Sequence, residues 1–296
     1  MSGTDFALLG KPVTRYTYRA RHLTLNVIEW GAKSGPAILL LHGGLESAHA
    51  WDQLASRLCD DWRVIVPDLR GHGDSDWALG GGYAVLDFVS DIAALIHDRA
   101  IDRLCLVGHS LGGAVAIHLA ALYPERVERV CAIEGLRPVP ATKIDADGER
   151  VAELRRWCED LVAINDRPAR IYPDVDAAAA HLMAADPLMP SETALHAART
   201  NTRAVPGGVR WKYDAQLRQF SSIERIAPEP RIFWERITCP TLLVYGAQSW
   251  AVSPEEDGRI GHFHNARVVT IPNAGHNIQH HQPKAFHEVL TAFLRS

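Results

Sequence analysis

The sequence predicts an α/β fold: a mostly parallel sheet of eight strands with helices on both faces. Three features carry that expectation. Short apolar runs recur along the chain, each followed by a helical pattern, and continuous apolar runs mark strands covered on both faces. One of them, Arg103-Leu104-Cys105-Leu106-Val107, turns abruptly into a helix through Gly108-His109-Ser110-Leu111-Gly112. Between about Pro138 and Pro230 the alternation stops, which predicts a single core interrupted by a helical insertion. At 296 residues, with no break in composition, the chain suits one large domain, residues 1–137 and 231–296, carrying residues 138–230 as that insertion.

In chain order, residues 13–18 and 22–29 alternate and read as an antiparallel pair of strands. Strands three to eight follow at residues 37–41, 63–66, 103–107, 127–133, 241–245 and 266–271. Helical patterns in the insertion cover residues 148–162, 175–185, 192–200 and 214–220, and no segment there reads as a strand. Placed after the sixth strand, these helices would lie over the carboxyl ends of the strands, where ligands bind in such sheets. Padding of the outside of the sheet is the plainer alternative.

Composition narrows the partners. A hydrophobic fraction of 47% and a charged fraction of 22% are those of an ordinary globular protein, and a net charge of −4 without a basic run gives nucleic acid or an anionic membrane nothing to bind. A small-molecule substrate is therefore expected. The start Met1-Ser2-Gly3-Thr4-Asp5 lacks the basic and apolar regions of a signal peptide, and no apolar run approaches bilayer length, so a cytoplasmic location is expected. The five cysteines, Cys59, Cys105, Cys131, Cys158 and Cys239, are odd in number and unpaired in spacing; they read as reduced and structural.

A serine at the apex of a strand–turn–helix is a nucleophile elbow, and Ser110 holds that position. Gly108 and Gly112 flank it because such a backbone is strained and packed too closely for a β-carbon. A nucleophilic serine needs a base, an acid that orients the base, and backbone donors for the oxyanion. His276, in Pro272-Asn273-Ala274-Gly275-His276-Asn277 just after the last strand, is the candidate base. His262, His264, His280 and His281 form two close pairs without a companion carboxylate cluster; they read as solvated, and no metal site is expected. The oxyanion donors are the amide of Leu111 and one from the glycine-rich turn Leu41-His42-Gly43-Gly44-Leu45, with Gly44 preferred and Leu45 possible, unless that turn is an ordinary strand-to-helix loop.

His42-Gly43-Gly44 after the third strand, Asp68-Leu69-Arg70-Gly71-His72-Gly73-Asp74-Ser75 after the fourth, the elbow at Ser110 and Gly275-His276 after the eighth together resemble the α/β-hydrolase superfamily over almost the whole chain. The resemblance implies the α/β-hydrolase fold with a helical cap, no cofactor, and an architectural role for the loop from Arg70 to Ser75. Members commonly carry the triad acid as an aspartate three residues after the glycine that ends the seventh strand. Here Gly246-Ala247-Gln248-Ser249 puts a serine there, and Ser249 cannot hold a negative charge.

Glu134, at the end of the sixth strand, is the expected substitute, because adjacent parallel strands end side by side and a longer carboxylate can reach the same histidine nitrogen. The order Ser110, Glu134, His276 keeps the superfamily's nucleophile, acid and base in sequence. The arrangement is similar to one branch of the haloalkane dehalogenases and to some lactone hydrolases. The alternative is that Glu134 caps the first turn of the insertion while Glu255, Glu256 or Asp257 supplies the acid. A serine rather than an aspartate at the elbow excludes the alkyl-ester chemistry of dehalogenases and epoxide hydrolases. It favours hydrolysis of esters, lactones or thioesters. Hydrolytic cleavage of a C–C bond in a vinylogous diketone is the nearest enzymatic rival, and a slow-turnover ligand receptor on the same fold is the rival from another class. Leu45, His109, Trp211 and Trp250 are the expected substrate contacts, although Trp211 with Tyr213 could be packing and Trp250 could merely cover the site.

Overall fold

The computed structural model describes residues 3–79, 81–136, 147–166, 169–218 and 230–296. Strands β1 (Thr4–Leu8), β2 (Lys11–Ala20), β3 (Leu23–Trp30), β4 (Ala37–Leu41), β5 (Arg63–Pro67), β6 (Leu104–His109), β7 (Val127–Ile133), β10 (Thr241–Gly246) and β11 (Ala266–Ile271) form one sheet in the order β1-β2-β3-β5-β4-β6-β7-β10-β11. From β5 onward every neighbour is parallel. β1, β2 and β3 are joined antiparallel to each other and to β5.

The predicted strand periods decide which face each side chain takes. In β4, Leu39 and Leu41 enter one apolar core while Ile38 and Leu40 enter the other, and all four are fully buried. Helices α2 (Val85–Asp98) and α3 (Leu111–Leu122) cover the first face through Phe88, Ile92, Val115 and Leu119. Helices α1 (Asp52–Leu58) and α8 (Pro283–Arg295) cover the second through Leu54, Leu58, Phe286 and Leu290.

The sheet has nine strands rather than eight. β1 is an edge strand that exposes three of its five residues, so it leaves no strong alternation to read. It is set by its turn: Leu9 and Gly10, with φ of 49° and 74°, make the left-handed pair that suits a two-residue hairpin.

Between β7 and β10 lie α4 (Asp147–Asp166), α5 (Val175–Ala185), α6 (Ser191–Asn201), a hairpin of β8 (Thr202–Val205) and β9 (Gly208–Trp211), a 3-10 turn at Ala215–Arg218, and α7 (Arg231–Trp234). The hairpin corrects the strand-free expectation for this stretch. Four-residue strands are too short to show a period, but Pro206-Gly207, with Gly207 at φ 89°, supplies the turn. Of the helix expected at 214–220, residues 219–220 lie outside the described residues, as does the expected boundary at 137/138. A small cluster of Tyr172, Ala178, Ala194, Ala198 and Trp211 holds α5, α6 and the hairpin together.

Four of the cysteines are buried, whereas Cys158 is exposed and belongs to no core. No described helix is long and apolar enough to cross a membrane.

Candidate active site

Ser110 sits between the last residue of β6 and the first of α3, with φ 49° and ψ −112°. The turn is this tight because a β-carbon on Gly108 would lie 2.2 Å from Gly112 O, and one on Gly112 would lie 2.2 Å from Leu41 O. Ser110 N–H donates to Ile133 O at 2.8 Å, and Ala114 N–H donates back to Ser110 O at 2.9 Å. Strain of this kind recurs nearby. Leu45 (φ 68°) and Glu134 (φ 46°) follow the ends of β4 and β7, the two strands that flank β6, so three non-glycine residues in the left-handed region meet at one edge of the sheet. Such strain persists only where the surroundings enforce it, and it concentrates at functional sites.

The Glu134 side chain is fully buried and its carboxylate accepts three hydrogen bonds. Gly246 N–H donates to Oε1 at 2.8 Å, and Ser249 Oγ–H donates to Oε2 at 2.6 Å. His276 Nδ1 lies 2.6 Å from the same Oε2. A carboxylate accepts, so the His276 proton belongs on Nδ1 and Nε2 keeps its lone pair. Neither Nε2 nor Ser110 Oγ is engaged by another described residue, and the two are not hydrogen-bonded to each other in this structure. Ser249 thus does not replace the missing aspartate; it supports Glu134 from the strand beside it. Of the other carboxylates considered, Asp257 pairs with Arg259 at 2.7 Å, and Glu255 and Glu256 are exposed.

The glycine-rich turn after β4 is held from below. His42 is fully buried, its Nε2 accepts from Leu69 N–H at 3.0 Å, and its Nδ1 lies 2.8 Å from Gly43 O; burial pushes its pKa down and keeps it neutral. Glu46 reaches back to the same turn: Gly43 N–H donates to its Oε2 at 2.8 Å. Its carboxylate also meets His109 Nδ1 at 3.3 Å and His280 Nε2 at 2.9 Å. Burial opposes its charge, but the hydrogen bonds from His109 and His280 outweigh that and hold its pKa well below the usual carboxylate range. The amides of Gly44 and Leu111 donate to no described residue. The loop after β5 is pinned separately, with Arg70 and Asp91 forming a buried bidentate pair at 2.6 Å.

A cavity of about 400 Å³ begins at Gly44 and Leu45 and runs past Trp51, Leu182, Met189 and Trp211. Neither Ser110 nor His276 is among its lining residues; of the residues named as substrate contacts, Leu45 and Trp211 line it. His109 does not. It is 2% exposed, with its ring centroid 4.8 Å from that of His276 and its Nε2 3.0 Å from His276 O, so it packs beneath His276 rather than facing the cavity. Trp250 is 77% exposed and stands outside the cavity wall, its ring 4.9 Å from the His276 ring. His280 and His281 are not solvated: His280 is bound to Glu46, and His281 joins Gly275 N–H to Asp186. Among the described residues one group, His49, Asp52 and His196, has metal-ligand spacing.

A family model described as the alpha/beta hydrolase fold matches residues 36–283, most of the chain. The chain is an α/β hydrolase. It is 31% identical over 274 residues to 2-(acetamidomethylene)succinate hydrolase of Mesorhizobium japonicum, covering 92% of each. It is 28% identical over 275 residues to an esterase of Mycobacterium tuberculosis, covering 91% of this chain and 86% of that one. The solved thioesterase domain from the curacin biosynthetic pathway superposes with a TM-score of 0.80 at 28% identity, over 94% of this chain and 99% of that one. These relatives are named as hydrolases, an esterase and a thioesterase among them, and this α/β hydrolase is a hydrolytic enzyme in that general sense.

Two supports of the hydrolase site were not legible in the sequence. Glu46 lies three residues after Gly43, a spacing at which a side chain caps a backbone amide, and that was the available signal. Asn201, at the end of α6, donates to Leu45 O at 3.0 Å across 156 residues, and nothing local announces it.

Proposed function

We propose that this α/β hydrolase is a serine hydrolase of carboxylic esters or lactones that works through an acyl-enzyme on Ser110. The observation that carries the reading is the 2.6 Å contact between Glu134 Oε2 and His276 Nδ1, beside a serine held on a strained elbow with two unused amides nearby. Ser110 Oγ attacks the acyl carbon while its proton passes to His276 Nε2. The carbonyl electron pair moves onto oxygen, where the Leu111 and Gly44 amides receive the charge, with Leu45 as the alternative to Gly44. Collapse expels the alkoxide, which takes the proton from His276 and leaves an ester on Ser110. Water then repeats the sequence and releases the acid. In a lactone the leaving hydroxyl stays tethered to the product. Glu134 stabilises the imidazolium formed in both halves. An apo site commonly leaves the serine–histidine contact open until substrate fills it.

Residues 138–230 act in this reading as a cap. α5, α6, the loop between them and the hairpin contribute Leu182, Thr193, Met189 and Trp211 to the cavity wall, so they set the size of the acyl or leaving group. The test is multiple-turnover release of nitrophenol from a series of acyl nitrophenyl esters, with lactones as competitors. Sustained turnover that varies with acyl length supports the proposal. A burst equal to the enzyme concentration followed by silence favours a receptor, and turnover confined to a vinylogous diketone favours C–C hydrolysis.

A further inference from the structure

His49 and His196 line the cavity and meet on Asp52 behind them, with no part in the mechanism above. His49 lies in the 3-10 turn Ala48–Trp51 that leads into α1, Asp52 opens that helix, and His196 comes from α6, 144 residues from Asp52 in sequence. His49 Nδ1 and His196 Nε2 each lie 2.8 Å from the same oxygen, Asp52 Oδ2, and the three atoms fall within 4.8 Å of one another. Asp52 is 2% exposed, and its ion-pair partners among the described residues are these two imidazoles. A buried carboxylate compensated by two imidazoles on one oxygen is a donor set that a cation can take over. Both histidines line the cavity, which leaves its water as the remaining ligand.

We propose that His49, Asp52 and His196 form a three-ligand site for a divalent transition-metal ion of the zinc class, and that its occupancy pins α6 to α1 and inhibits hydrolysis. Two imidazoles and a carboxylate suit zinc, nickel or copper rather than magnesium or calcium, which prefer all-oxygen shells. A tetrahedral ion with ligands at ~2.0–2.2 Å separates them by roughly 3.4 Å, so each nitrogen must move back from Oδ2 by about half an ångström. His196, partly exposed on α6, can make that movement. On binding, the proton of His49 shifts from Nδ1 to Nε2. His196 gives up its Nε2 proton, as a net release to solvent where the ring was charged.

Inhibition follows from position, and this half of the proposal rests on the esterase reading. α6 ends at Asn201, which holds Leu45 O, and Leu45 neighbours the amide assigned to the oxyanion. Fixing α6 stiffens the part of the cavity wall that this helix supplies, and a zinc-bound water occupies cavity volume.

The decisive measurement is a zinc titration of chelator-stripped protein by competition with a chromophoric chelator, alongside thermal unfolding and nitrophenyl ester turnover. The native chain should bind one equivalent, gain thermal stability and lose turnover, with magnesium inert. His49→Ala and His196→Ala should each weaken zinc binding by about 100-fold or more, since even loss of a supporting partner costs 10–100-fold. His276→Ala should bind zinc as the native chain does. Absence of saturable binding, binding unaffected by His49→Ala and His196→Ala, or binding lost in His276→Ala would each overturn the site. Binding at the site without loss of turnover would overturn its inhibitory role. A chain that binds zinc there but turns over no ester overturns the esterase reading and the inhibition with it, and leaves the metal site standing.

Discussion

Ser110 and Glu134 are the residues on which the proposed chemistry stands, and both sit at positive φ. Replacing Ser110 by Ala should lower kcat/KM for esters by at least ~10³-fold with the fold intact, because binding and the oxyanion donors alone leave little catalysis. A purified variant retaining a tenth of native turnover would show that the nucleophile lies elsewhere. Glu134→Gln should reduce kcat by about 10² to 10⁴-fold with little change in KM, by analogy with losing the acid of other triads. Glu134 accepts from both Ser249 and His276 on one oxygen, so position 249 lies within reach of the same imidazole. The double variant Glu134→Gln with Ser249→Asp should therefore recover part of the loss. Full activity in Glu134→Gln, with Asp257→Asn inactive, would reassign the acid.

At the scale of elements, the site is built by strand ends and by the contact of α3 with β4. Gly112 lies so close to Leu41 O that a methyl group cannot enter without moving helix or strand. Gly112→Ala should destabilise the protein by about 1–3 kcal/mol or more, as overpacking does, with a lowered denaturant midpoint and an unchanged m-value. A midpoint equal to that of the native chain would mean the helix yields freely. The parallel strands, α3, α5 and α6 were legible in the sequence because each is long or apolar enough to show its period. β1 and the β8–β9 hairpin were not, since they are short and specified by turns and pairing partners rather than by their own pattern.

Over the whole molecule, histidine–carboxylate ties join the 138–230 segment to the sheet domain: His196 to Asp52, and Asp186 to His281 and Asn277. Their signs with pH are opposite. The Asp52 hydrogen bond raises the His196 pKa, so its contribution is complete below the unfolded value, about 6.5, and is lost as pH rises through the folded value. In excess chelator, the Tm difference between the native chain and His196→Ala should be largest in mild acid and shrink toward alkaline pH. For Asp186, burial opposes the charge, but hydrogen bonds from Asn277 and His281 outweigh it and depress the pKa. Its contribution is present above the unfolded value, about 3.9, and lost as pH falls through the folded value. Asp186→Asn should therefore narrow its Tm deficit only below about pH 4. Deficits that do not vary with pH would show that neither tie depends on charge.

The sequence by itself determined the parallel strands of the sheet, the elbow at Ser110 and the candidate base His276, because strand period, flanking glycines and position after the last strand are local properties. It also narrowed the acid to Glu134 or three carboxylates after the seventh strand, through the serine at 249. Only the tertiary structure brought Glu134 to His276, moved His109 beneath His276, and drew Glu46, His280 and Asn201 around the glycine-rich turn. It alone assembled His49 and Asp52 with His196. These contacts join residues from 63 to 234 positions apart. A pairing at such separation is set by how helices pack over strand ends, and no local periodicity records it.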